Sequence, residues 1–176
     1  LSKETGRGGI TISERSTPPD HRLAGLSKAE IKLYKSDAMK RIEINPSDGS
    51  VTSVKPLTAT QLGRLQSRAE ARAVGPKSQG ISPLAASIGC TSTAPCWYGV
   101  GPVYSYSFTV GTTNGTWGNR GDFYTGSYFA KLCWIDPMSL PMRPITYCMP
   151  ERNGKKAWIS LGQSVTGKQV NLSTTR

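Results

Sequence analysis

Residues 26–74 carry two helix signals around a hairpin signal. Ser27 and Glu30 have the S-x-x-E spacing of a capping box, and Leu26 and Ile31 are placed for a hydrophobic staple. A helix to about Met39 is predicted. The alternating runs Arg41-Ile42-Glu43-Ile44 and Val51-Thr52-Ser53-Val54 flank Asn45–Ser50, a Pro/Asp/Gly turn, and so predict a hairpin. Thr58 and Gln61 repeat the capping box with the staple pair Leu57 and Leu62. Leu62, Leu65 and Ala69 continue one helical face, which is predicted to end near Ala73, before Gly75-Pro76.

The period changes after a Gly/Ser/Pro/Ala linker over 75–89. Val103 to Val110 alternates over its whole length, and Gly111 to Gly115 is predicted to turn the chain. Tyr124–Trp134, Ile145–Cys148, Ala157–Leu161 and Gln169–Leu172 are further strand signals, making at least five. Their spacing with intervening glycines predicts a small antiparallel sandwich or barrel over 90–176. The expected fold class is thus an all-β C-terminal domain with two disulfides, behind a flexible leader (1–25) and a short helix-hairpin-helix segment (26–74).

The leader is rich in Gly, Ser, Thr, Pro and charge, the composition of a disordered tail. Within it, Arg7, Gly8, Gly9, Ile10, Thr11 and Ile12 stand out. Two glycines free the backbone, and Ile-Thr-Ile then alternates as a short strand does. Such a piece buries nothing alone but can pair at a partner's sheet edge or cleft. The plainer reading is a loose tail with two chance isoleucines.

Cysteine usage sharpens the division. Cys90, Cys96, Cys133 and Cys148 all lie in the second half, with all four tryptophans. Of the aromatic residues, only Tyr34 precedes Cys90. A domain this small needs staples, and an even cysteine count fits disulfides in an oxidising compartment. Cys90–Cys96 and Cys133–Cys148 are the favoured pairs because each closes a short local loop. Zinc is the competing reading, but its ligands usually come as closely spaced pairs, which these are not. No apolar run approaches the ~20 residues of a membrane span. The start at Leu1 is in keeping with a processed secreted protein or a fragment. Secretion is expected on the cysteines alone.

The formal charge is +11, divided about evenly between the halves. It favours anionic partners without choosing among nucleic acid, acidic lipid, polyanion or acidic protein. Catalytic chemistry is sparse. The single histidine, His21, lies in the leader, and the C-terminal block has only Asp122, Asp136 and Glu151 as acids. Nucleophilic machinery needs a base held beside its nucleophile, and a glycosidase needs two facing carboxylates. Gly121-Asp122 and Asp136-Pro137 read instead as turn chemistry. Arg120-Gly121-Asp122 spells an integrin-type tripeptide, and three-residue matches are common by chance. Trp97, Trp117, Trp134 and Trp158 read as core rather than as stacking platforms. No cofactor or metal is implied, no catalytic residue is assigned, and nucleic acid is not the expected partner.

Cys96-Trp97-Tyr98, Gly115-Thr116-Trp117, Arg120–Tyr128, Cys133-Trp134 and Val165–Val170 resemble phrases of small secreted Cys/Trp-rich β-domain proteins of Streptomyces and related actinobacteria. Among these, the chain resembles the adaptor subunit of umbrella toxin particles, chiefly over residues 90–172. The resemblance implies a secreted adaptor of an antibacterial assembly. Its protein partners would be a large repeat-containing toxin subunit and a lectin with a protease-like fold. The leader would enter the lectin's cleft as a strap, giving Arg7–Ile12 a role. The function expected is therefore non-enzymatic bridging of protein subunits. A secreted protease inhibitor, a bacteriocin-like protein and a basic nucleic-acid or polyanion binder are the rivals.

Overall fold

The computed structural model describes residues 2–5, 11–14, 19–73 and 86–176. Two short strands, β1 (Ser2–Thr5) and β2 (Thr11–Glu14), are followed by a helical turn, α1 (Pro19–Arg22). Helix α2 (Lys28–Tyr34), the hairpin β3 (Lys40–Ile44) and β4 (Val51–Pro56), and helix α3 (Ala59–Arg72) come next. The second half supplies β5 (Ala86–Ile88), β6 (Cys96–Gly99), β7 (Tyr106–Phe108), β8 (Gly111–Tyr124), β9 (Phe129–Ile135), β10 (Thr146–Cys148), β11 (Ala157–Ser160) and β12 (Val165–Ser173). All twelve strands among the described residues belong to one curled sheet, and its main path runs β1-β2-β10-β9-β12-β8-β11-β3-β4. The chain is thus mostly β, with two disulfides, in keeping with a sandwich or barrel class.

Both capping boxes form as their spacing predicts: Ser27 with Glu30, and Thr58 with Gln61. Helix α2 stops at Tyr34, short of the predicted Met39. The reason is Lys40, whose buried ammonium donates to the carbonyls of Leu33, Tyr34 and Ser36. A cation at a helix C-terminus satisfies carbonyls that lack an intrahelical partner.

The hairpin is not a separate layer. Its strand β3 lies parallel to β11, with Lys40 opposite Ala157 and Ile42 opposite Ile159. Ile42, Ile44, Val51 and Val54 join Trp97, Phe123, Leu132, Trp134 and Ile159 in one core. The hairpin turn is held from the other side, where Trp134 Nε1 donates to Pro46 O at 2.8 Å. Leader residues also enter the fold. Leu23 is buried, and buried Arg22 donates to Cys148 O at 2.9 Å.

Two strand expectations are corrected. The alternation over 103–110 yields only the three-residue β7. The turn expected at Gly111–Gly115 is instead the start of the long β8. Its polar residues pair across to β12: Asn171 Nδ2 donates to Thr112 Oγ1, Gln169 Nε2 to Asn114 Oδ1, and Lys168 Nζ to Thr116 Oγ1. A polar ladder between two neighbouring strands has the composition of a loop but the hydrogen bonding of a sheet. Trp117 packs its ring over Gly115, where an added Cβ would sit 2.5 Å from the ring.

The tryptophans are largely core, as expected. Trp97, Trp134 and Trp158 are fully buried, and each indole N–H has an acceptor. Trp97 meets Phe123 edge-on at 5.9 Å. Helix α3 covers the other face of the sheet, packing Leu62 and Ala69 with Tyr98, Tyr124 and Trp158. Strand β11 is consequently buried on both faces.

Candidate functional site: an arginine-lined cleft and an exposed apolar loop

A cleft of about 490 Å³ opens where α3 lies against β3, β8 and β11. Helical spacing sets one wall, because Leu65, Arg68 and Arg72 fall on one stripe at i, i+3 and i+7. Strand β3 contributes Arg41, whose Nε lies 3.5 Å from Glu43 Oε1. Strand β8 contributes Asp122, whose Oδ2 accepts the Trp158 indole N–H at 3.1 Å. Ser160 and the loop to Ser164 complete the rim, with Gly162 at φ +73° turning the chain. Among the described residues, three arginines and a single carboxylate line the cleft.

Asp122 therefore lies in a strand and holds a tryptophan, where a turn was expected. Asp136 does serve a turn: Oδ1 accepts Met138 N at 2.8 Å. Arg120 is buried, so Arg120-Gly121-Asp122 is not displayed as a tripeptide. Its guanidinium donates to the carbonyls of Gly118, Trp97 and Tyr104 at 3.0, 3.2 and 2.7 Å and stacks over Tyr106. Desolvation pulls its pKa down to about 10. Desolvation also pulls Lys40 down to about 8, with nearby Arg176 adding to the effect and Asp37 opposing it.

The second feature is the loop between β9 and β10. Met138, Leu140 and Met142 are 76%, 68% and 94% exposed there. The loop is pinned at its base, where Asp136 N donates to Ile145 O, and at its tip, where Arg143 N donates to Leu140 O. Strand β2 reaches the same end of the sheet, with Glu14 in register with Thr146 of β10.

Of the leader residues singled out in the sequence, Thr11 and Ile12 lie in β2, opposite Thr5 and Glu4 of β1. Arg7, Gly8, Gly9 and Ile10 lie outside the described residues. The cysteines pair as Cys90–Cys96 and Cys133–Cys148, the second between directly opposed residues of β9 and β10. No cysteine is free, which removes the zinc reading. Among the described residues, no helix is long and apolar enough to cross a membrane.

Sequence reading missed the cleft. Its arginines come from positions 41, 68 and 72, and the helical face read from the sequence was Leu62, Leu65 and Ala69, without the arginines. The exposed loop is a Pro/Met-rich segment of the sequence, and its pinning comes from the fold. These features define a class: a disulfide-stapled, curled β-sheet protein with a charged cleft and an apolar loop. No family model, curated protein or solved structure matches the chain.

Proposed function

We propose that the chain is a secreted, non-enzymatic binding module that bridges protein partners. The observation that carries this reading is the exposure of Met138, Leu140 and Met142 on a loop pinned at its base and tip. A loop whose backbone is already pinned loses less backbone entropy on docking, and exposed apolar surface marks interaction sites. The finer proposal is an adaptor of an umbrella-type antibacterial particle, joining a repeat-containing toxin subunit to a lectin with a protease-like fold. In it the leader, including Arg7–Ile12, acts as the strap.

The test is capture from culture supernatant of the producing organism, followed by mass spectrometry. The triple variant Met138→Ser, Leu140→Ser, Met142→Ser is expected to lose one partner that the wild type retains. Deletion of residues 1–20 is expected to lose the other. Unchanged capture by both variants would overturn the reading.

A second reading, protease inhibition, is favoured by one observation. Met142 is 94% exposed in the pinned loop and lies between Pro141 and Arg143. It predicts inhibition of at least one member of a serine-protease panel, lost in Met142→Asp. No inhibition across the panel removes it.

A further inference from the structure

We propose that the arginine-lined cleft is a binding site for a short acidic peptide segment of a protein partner. Arg41, Arg68 and Arg72 against Asp122 leave the lining at a formal +2. Arg68 and Arg72 are exposed, and their guanidinium groups have no hydrogen-bond or ion-pair partner among the described residues. They stand one helical turn apart, so two carboxylates of one ligand can be met by two forks from a rigid helix. The volume of about 490 Å³ lies in the range of small-ligand and peptide-anchor pockets.

The rest of the lining decides between anions. Among the described residues it contains no aromatic side chain, so a base or sugar ring would have nothing to stack on. Leu65, Ala69 and Val100 instead offer aliphatic surface, which suits the methylene stems of Glu and neighbouring apolar residues. Asp122 repels a dense phosphate or sulfate chain. Toward a peptide it is an acceptor for a backbone N–H, and Ser160, Gln163 and Ser164 supply hydroxyl and amide groups for the rest of a main chain. Spaced carboxylates on a peptide fit this mixture better than a continuous polyanion does.

The site extends the binding-module reading, and it is measurable without any native partner. The probe is N-acetylated, C-amidated tetraglutamate, titrated into isotope-labelled protein by NMR, with inorganic phosphate and a heparin-derived hexasaccharide as separate arms. Tetraglutamate is expected to shift the amides of Arg68, Arg72, Gly162 and Ser164. Arg68→Ser/Arg72→Ser is expected to weaken binding about tenfold, with Tm showing that the fold is kept. The charge-matched control Lys28→Ser/Lys32→Ser, on another helix, is expected to bind as the wild type does. Equal weakening in the control, shifts away from the cleft, or tighter binding there of either other probe would each overturn the proposal. Failure of the loop variants in partner capture leaves this outcome untouched, so the two readings fall separately.

Discussion

Glu30 accepts the backbone N–H of Val54 through Oε2 at 3.1 Å, while its Oε1 accepts the N–H of Ser27 at 3.1 Å. One carboxylate therefore closes the capping box of α2 and occupies a donor of β4, the last strand of the main sheet path. An outer strand with bare N–H groups is a template for unwanted pairing, and a carboxylate here covers one of them.

Glu30→Ala is expected to lower Tm, and Glu30→Gln to recover part of the loss by keeping one acceptor. The backbone hydrogen bonds from Ser27 and Val54 hold the Glu30 carboxyl below its ordinary pKa. Its contribution is therefore present above the unfolded pKa, about 4.3, and lost as pH falls through the lower folded value. Denaturant titrations over the acid range are expected to show a shallower pH dependence for Glu30→Gln than for the wild type.

Lys40→Met removes the donor shared by the carbonyls of Leu33, Tyr34 and Ser36. The expected cost is about 1–3 kcal/mol, the range for leaving buried acceptors unmet. Because folding lowers the Lys40 pKa to about 8, the unfolded chain binds more protons between there and the ordinary value. Wild-type stability should thus rise relative to Lys40→Met from about pH 8 to about pH 10.4. Urea unfolding of both proteins across that range tests the sign.

Arg120→Lys leaves a compact ammonium where a planar fork reached three carbonyls on different segments. A destabilisation of about 2–4 kcal/mol is expected. Because Arg120 is buried, the immobilised wild-type protein is not expected to support integrin-dependent cell adhesion. Adhesion blocked by a soluble Arg-Gly-Asp peptide would show that the residue is reachable.

The two disulfides are expected to differ in weight. Cys133 and Cys148 are separated by 15 positions, Cys90 and Cys96 by 6. Closing the longer loop removes more entropy from the unfolded chain, so Cys133→Ala/Cys148→Ala should cost about 3 kcal/mol and Cys90→Ala/Cys96→Ala about 2 kcal/mol. Denaturant unfolding of the two double variants checks the order.

What the sequence made legible was local. Capping boxes, the hairpin around Asn45–Ser50 and the short-loop disulfide pairs depend on residues near one another, and all are present. The start of β8 was misread because Thr112 and Asn114 look like loop residues until Asn171 and Gln169 lie opposite them. Strand β6 was missed because Cys96-Trp97-Tyr98-Gly99 is buried throughout and does not alternate. A strand covered on both faces has no polar side to show. The cleft was hidden for a related reason: its charges are scattered along the chain and meet only through the packing of α3 on the sheet.

The parallel seating of β3 beside β11 has a practical consequence. The composition shift near Cys90 invites cutting the chain there to obtain a tidy β fragment. Such a fragment lacks Lys40–Ile44 and Val51–Pro56, leaving β11 with a row of unpaired main-chain groups next to Trp158 and Ile159. A hydrophobic strand stripped of its neighbour recruits another copy of itself. The seam most visible in the amino-acid usage is therefore the place where division is expected to give an aggregating fragment.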